Sequence, residues 1–132
     1  MLNAQFFGNA AQQLKIFCSY GNDKLSVEAF ALQNCAALEY LDLDDNGILS
    51  IPPDALRGLH KLIRLNLYNN QLTEINENWF VDMGNLEELL LGDNQLTEVP
   101  DAAFDKLRKL KKLYLYKNKI EIVTRRMFQH NH

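Results

Sequence analysis

One block of sequence recurs along this chain at a fixed interval of 24 residues. Each copy follows the pattern L-x-x-L-x-L-x-x-N-x-L-x-x-I/V, and the copies begin at Leu38, Leu62, Leu86 and Leu110. The stretch LYNNQLTEI, from Leu67, returns almost unchanged as LGDNQLTEV, from Leu91. A period of this length predicts a solenoid, in which each repeat buries its apolar residues only against its neighbours.

A weaker copy precedes these four. It begins at Leu14 and keeps Asn22, Val27, Leu32 and Cys35 in register, but Ser19 and Lys24 stand where leucine is expected, which predicts an eroded strand. We expect a single domain over residues 1–132, with repeats at 14–37, 38–61, 62–85, 86–109 and 110–132. Residues 1–13 are expected to form a partial repeat or an N-terminal segment.

Alternation within the motif assigns the core. Alternate residues of a strand face opposite sides, so Leu65 and Leu67 point inward and the strands of successive repeats stack into one parallel sheet. Phe80, Phe104 and Phe128 continue the core in the second half of the repeats. The segment PDAAFDKLRKL, from Pro100, predicts a short helix because it begins with Pro-Asp and keeps two apolar residues three apart. The equivalent NENWFVDMGNL is less regular.

An asparagine occurs once in every repeat, immediately after the expected strand. The column consists of Asn22, Asn46, Asn70, Asn94 and Asn118. Each side-chain amide is expected to bond backbone groups that the turn leaves unpaired. Because the residue recurs in every turn, a structural role is favoured over ligand binding.

These motifs resemble the leucine-rich repeat family, and the 24-residue length with a phenylalanine in the second half resembles its "typical" animal class. That class occurs in Toll-like receptors, secreted insect immune proteins and Slit-like guidance proteins. The resemblance implies an α/β solenoid, a horseshoe with a concave parallel β-sheet and short helices or turns on the convex side. It also implies binding without catalysis or cofactors, with a protein ligand on the concave face.

The same resemblance implies an extracellular or cell-surface recognition role, of innate-immune or adhesion type, within a longer receptor or secreted protein. The alternative is a cytoplasmic scaffold or regulatory subunit, which the absence of any N-x-S/T site weakly favours. No cysteine-rich cap is present at either end, so we expect a fragment whose uncapped ends are a second surface, for association between copies.

Composition argues against two other classes of partner. The net charge is −3 and Lys and Arg are not clustered, so no nucleic-acid footprint is indicated. No apolar run approaches the roughly 18–20 residues that span a bilayer, and the N-terminus does not resemble a signal peptide. We therefore expect neither nucleic-acid binding nor direct membrane insertion by this segment.

Three motifs suggest other chemistry but are incomplete. DLDDNG, from Asp42, copies the start of a calcium loop, but Pro53 stands where a bidentate glutamate is needed. His130 and His132 are more typical of a solvated tail than of a metal site. Cys35 is expected in the core and Cys18 on the outside of a strand, so the two should not pair. No metal or catalytic site is predicted.

The outward positions of the strands are the expected binding face. Glu87, Glu88 and Asp93 should pair with Lys111, Lys112 and Lys117 of the next repeat. By contrast, Asp42, Asp44 and Asp45 have no basic residue in the same row, and tyrosines, which are enriched at interface hot spots, flank them. A solvated acidic strand retained for solubility is the alternative to a patch for a basic, partly apolar partner. The candidate partner-binding residues are Tyr20, Tyr40, Asp42, Asp44, Arg64, Asn66, Tyr68, Leu90, Tyr114 and Tyr116.

Overall fold

The computed structural model describes residues 1–120, which wind into a solenoid with one short strand in each repeat. The strands form a single five-stranded parallel sheet in chain order. They are β1 (Ile16–Cys18), β2 (Tyr40–Asp42), β3 (Arg64–Asn66), β4 (Glu88–Leu90) and β5 (Lys112–Tyr114). Every neighbouring pair aligns residues 24 apart, such as Leu41 with Leu65 and Leu65 with Leu89. The parallel solenoid predicted from the period is therefore confirmed.

The inward leucines stack into continuous columns beneath the sheet. Leu41, Leu65 and Leu89 have no solvent exposure, and neither do their counterparts two residues later in each repeat. Burial of one such side chain is worth about 1.5–3 kcal/mol, so the columns dominate the stability of the stack. On the convex side, the rings of Phe80 and Phe104 lie 6.0 Å apart. Phe128 lies outside the described residues.

The convex segments contain 3₁₀ helices and turns rather than α-helix. The helix predicted from Pro100 is wrong, because Ala103 donates to Pro100 and Leu107 donates to Phe104 across three residues rather than four. Packing against the neighbouring repeats overrides local helix propensity there. The less regular equivalent instead contains a 3₁₀ helix at Glu77–Phe80, whose preceding Asn76 accepts a hydrogen bond from the Asn78 N–H.

The asparagine column is a ladder of hydrogen bonds between repeats. Asn70 Nδ2 donates to the carbonyl of Leu43 in the preceding repeat at 3.0 Å and to Leu67 in its own at 3.1 Å. Its Oδ1 accepts from the backbone N–H groups of Asn46 and Ile48. Asn94 and Asn118 repeat the donated bonds on the next turns, and the Oδ1 of each accepts from one backbone N–H of the preceding repeat. Asn70, Asn94 and Asn118 therefore each satisfy backbone groups of two repeats at once.

After its strand, the first repeat departs from the regular pattern, because its next core residue lies one position later than in the other repeats. β1 is intact and pairs in register with β2, so the prediction of an eroded strand is wrong, and the departure begins only beyond the strand. Lys24 is exposed and Leu25 packs against the core in its place, with the Leu25 N–H donating to the Asn46 carbonyl. Gly47 makes this path available, because a Cβ there would overlap the Asp23 carbonyl oxygen.

Residues 1–13 pack on the outer side of this first repeat. Leu2 forms a parallel bridge with Val27 and is buried. A 3₁₀ helix, Gly8–Gln13, follows and buries Ala11. The ring of Phe7 lies 4.9 Å from the ring of Phe17. The segment thus covers part of the core at this end of the solenoid.

Candidate functional site

The concave face of the sheet is built from three rows of side chains that alternate with the core columns. The first row crosses the start of the strands and the second crosses their end, so both flank the buried middle residue. The third row lies two residues beyond the strands, where backbone bonds such as Asp45 N–H to Tyr68 carbonyl keep the repeats stacked. The three rows contain all ten candidate residues, although Asn66 is buried within its row. The rows are Ile16, Tyr40, Arg64, Glu88 and Lys112; Cys18, Asp42, Asn66, Leu90 and Tyr114; and Tyr20, Asp44, Tyr68, Gly92 and Tyr116.

Arg64 joins two carboxylates across the face. Its Nε lies 3.3 Å from Glu88 Oε2 and its Nη1 lies 3.9 Å from Asp42 Oδ2. The prediction for the second repeat considered only basic residues in the same row, and Arg64 approaches Asp42 from the neighbouring row. A long side chain reaches diagonally between rows, which the alignment of equivalent positions does not reveal. Asp42 is thus partly neutralised inside the protein.

The predicted pairs between the last two repeats are formed in two cases out of three. Lys111 Nζ lies 2.9 Å from Glu87 and Lys112 Nζ lies 3.6 Å from Glu88. Among the residues that the structure describes, no ion pair within 4.0 Å joins Asp93 to Lys117. This end of the face is therefore close to charge balance along the sheet.

The column that contains Asp93 and Lys117 has a conformational requirement that the sequence reasoning missed. In every described repeat, the residue immediately before the column asparagine has a positive φ. These residues are Gly21 (79°), Asp45 (54°), Asn69 (55°), Asp93 (53°) and Lys117 (56°). Gly, Asn and Asp adopt this left-handed region at a lower cost than lysine does. The run of Gly, Asp and Asn in one column was the available signal, and Lys117 is the exception to it.

Two predicted residues of the patch differ in their availability. Asn66 is buried, and its Oδ1 accepts a hydrogen bond from the backbone N–H of Tyr68 at 3.0 Å, so it holds the turn rather than facing solvent. Asp44 is half-buried and lies between Tyr20 and Tyr68 in the third row. None of the basic side chains of residues 1–120 forms an ion pair with it. Asp44 is therefore an uncompensated carboxylate of the face.

Three tyrosines form a continuous aromatic surface, here called the tyrosine ledge, which consists of Tyr68, Tyr114 and Tyr116. The rings of Tyr68 and Tyr116 lie 5.9 Å apart, although they belong to repeats that are not adjacent. Tyr114 meets Tyr116 edge to face at 6.3 Å. Gly92 lies in the repeat between Tyr68 and Tyr116. It is buried beneath their two rings, where a Cβ would lie 3.2 Å from both. The absence of a side chain at Gly92 therefore lets the two rings close over it.

Two titratable groups on this face are perturbed. The pKa of Tyr116 is raised, first by removal from water and then by the neighbouring Tyr68 hydroxyl. The pKa of the Cys18 thiol is raised, first by removal from water and then by the negative charge of Asp42. The thiol donates to Asp42 Oδ2 at 3.7 Å. Since the thiolate is the reactive form, a raised pKa makes Cys18 a poor nucleophile.

Residues 1–120 contain no cluster of three or more His, Cys, Asp or Glu side chains that could hold a metal ion. Asn46 of the calcium-like motif is engaged in the ladder, where its Oδ1 accepts from Asn22 Nδ2 at 2.7 Å. His130 and His132 lie outside the described residues. No helix of the described part is long and apolar enough to cross a bilayer.

Comparison with known proteins adds a family and a structural relative. The family model described as "Leucine rich repeat" matches residues 36–96 and 84–132. The structure superimposes on a chain from "Crystal structure of TLR13-ssRNA13 complex" with a TM-score of 0.84 and 28% sequence identity. The match covers 98% of this chain but only 18% of the other. Among curated proteins, none matches.

Proposed function

We propose, because this chain belongs to the leucine-rich repeat family, that its concave face binds a protein ligand. We further propose that the chain is a segment of an extracellular recognition protein of innate-immune or adhesion type. The observation that carries the binding proposal is the third row, where the exposed Tyr20 and the half-buried Tyr68 flank Asp44. Elsewhere on the face, Glu87 and Glu88 are paired with lysines, so those positions have little left to offer a ligand.

Charge favours a protein over a nucleic acid as that ligand. The relative with the matching fold was crystallised as a TLR13–ssRNA13 complex, but this chain covers less than a fifth of it. The concave face here has more acids than bases, and binding to a phosphate backbone requires the opposite balance. Within the three rows the acids are Asp42, Asp44 and Glu88, and the bases are Arg64 and Lys112. The outward positions that border the rows add the acids Glu39, Asp45, Glu87 and Asp93 and the bases Lys15, Lys111 and Lys117.

Selection from a random peptide library on the full 132-residue chain tests the concave face. The selected clones are then measured on the double variant Asp44→Ala/Tyr68→Ala. A matched control, Leu49→Ala/Glu74→Ala, removes one exposed apolar residue and one acid away from the face. We expect the first variant to lose the clones and the second to retain them. Equal binding by both variants would exclude this face as the recognition surface, provided that circular dichroism shows both to be folded.

The extracellular assignment has a separate test. The sequence of the full-length transcript would reveal whether a signal peptide and cysteine-rich caps accompany further 24-residue repeats. Their presence supports the extracellular role. Their absence favours the alternative of a cytoplasmic scaffold or regulatory subunit, which would still use the same concave face.

A further inference from the structure

We propose that the concave face takes an extended segment of a partner protein with a basic residue over Asp44 and, three residues away, an aromatic or proline ring on the tyrosine ledge. This proposal rests on the proposed function and gives it a chemistry and a spacing. It follows from the aromatic surface, from the charges that border it, and from the distance between strands.

The ledge sets the first requirement, for an uncharged ring. Tyr114 and Tyr116 expose 40% and 53% of their surface and meet edge to face, and the rings of Tyr68 and Tyr116 lie side by side over Gly92. Aromatic and proline rings pack well on such surfaces at little cost in conformational entropy. The neighbouring Glu88 is already paired with Lys112, so this carboxylate has little left to offer a charged ligand group.

Charge complementarity sets the second requirement, for a basic group at the other end of the third row. Asp44 has no cation within 4.0 Å among the described residues, because Arg64 is shared between Asp42 and Glu88. Tyr20 on one side of it is 75% exposed, and Tyr68 stands on the other side. A carboxylate flanked by tyrosine faces suits an arginine or lysine side chain, which gains both an ion pair and cation–π attraction.

The sheet sets the spacing between the two groups. Asp44 and Gly92 occupy equivalent positions in repeats two apart, so two strand spacings of ~4.8 Å place them about 10 Å from each other. An extended chain advances about 3.3 Å per residue. A segment that crosses the strands therefore covers this distance in three residues. A shorter or longer separation between the basic residue and the ring would not place both groups on the third row at once.

A set of fluorescent peptides tests the three-residue spacing on the full 132-residue chain. Each peptide carries one arginine and one tryptophan in a Gly/Ser background, one to six residues apart and in both orders, and fluorescence anisotropy gives its affinity. We expect the affinity to peak at a separation of three, about tenfold above separations of one and six. A flat dependence on separation overturns the proposal.

Variants then assign the two ends of the best peptide. Asp44→Asn is expected to weaken it at least fivefold, yet to leave unchanged the affinity of the same peptide with glutamine in place of arginine. Tyr116→Ala is expected to weaken binding of the best peptide but not of the same peptide without its tryptophan. Glu74→Gln, an exposed acid away from the face, serves as the matched control. If Glu74→Gln weakens binding as much as Asp44→Asn, the effect is general electrostatics and the proposal fails.

The two proposals can fail separately. If library selection yields peptides that depend on the concave face but lack the basic residue and the ring, only the proposed ligand chemistry and spacing are overturned. If selected peptides ignore the face, both proposals are overturned. A labelled single-stranded oligouridine is measured in parallel. Binding of this RNA more tightly than any peptide, with no loss in Asp44→Asn, would assign the ledge to base stacking instead.

Discussion

Replacement of Asn70 by alanine is the most informative test of how the repeats hold together. Its side-chain amide is buried and connects the second and third repeats. Five hydrogen bonds depend on it: two accepted by Oδ1, from the N–H groups of Asn46 and Ile48, and three donated by Nδ2, to the carbonyls of Leu43, Leu67 and Tyr68. Alanine removes all five without disturbing a leucine column.

The cost depends on which backbone groups remain unpaired. The Leu67 carbonyl also accepts from Asn94 Nδ2, and the Tyr68 carbonyl also accepts from the Asp45 N–H. Two N–H groups and the Leu43 carbonyl have no second partner described within residues 1–120. A buried unsatisfied group costs about 1–3 kcal/mol, and water that enters the space of the lost amide reduces this toward the lower end. We therefore expect Asn70→Ala to lower the free energy of unfolding by about 3–4 kcal/mol.

Urea denaturation followed by tryptophan fluorescence measures this loss. Trp79 is the single tryptophan, is 2% exposed, and lies in the same repeat, where its Nε1 donates to the Ile51 carbonyl. Asn22→Ala is the matched control, because Asn22 is exposed and donates to side-chain oxygens, so its loss should cost less than about 1 kcal/mol. Equal losses for Asn22→Ala and Asn70→Ala would refute the view that buried backbone satisfaction explains the column.

Three further changes test other features of the structure. Gly47→Ala should destabilise by at least about 2 kcal/mol in the same assay, because it combines a left-handed φ of 62° with overlap of the Asp23 carbonyl; a smaller loss would mean that the first repeat relaxes. Lys117→Asn should stabilise by about 0.5–1 kcal/mol, since asparagine tolerates a φ of 56°, and a fall in the urea midpoint would contradict this. Tyr68→Phe should lower the pKa of Tyr116 toward its ordinary value, because it removes the neighbouring Tyr68 hydroxyl. Two-dimensional NMR of ring-labelled tyrosine from pH 8 to 12 follows Tyr116 separately from the other four tyrosines, and an unchanged Tyr116 pKa would exclude the Tyr68 hydroxyl as a cause.

The period in the sequence predicts the backbone architecture almost completely. A repeat of constant length places equivalent residues opposite each other, so the register of every strand pair follows from counting, as in Leu41, Leu65 and Leu89. The same counting predicts the ion pairs that run straight across strands, such as Glu87 with Lys111. These features depend only on the position of a residue within the repeat.

Features that depend on side-chain reach or on local departures were not predictable in this way. Arg64 contacts Asp42 diagonally, and Tyr68 contacts Tyr116 across an intervening repeat, because long side chains extend beyond their own position. The shift to Leu25 in the first repeat depends on backbone space above Gly47. The convex segment from Pro100 follows its neighbours rather than its own propensity, and hence contains turns instead of the expected helix.

The candidate site shows why a repeat fold can change its ligand without changing its core. Inward and outward residues alternate on the same strand, so Leu65 is committed to the core while Arg64 and Asn66 beside it face the other side. The outward side chains are not independent of one another, however. Tyr68 and Tyr116 form the ledge only because Gly92 in the repeat between them has no side chain. The smallest unit that can carry the ledge is therefore three consecutive repeats, although each repeat contributes only one strand to the sheet.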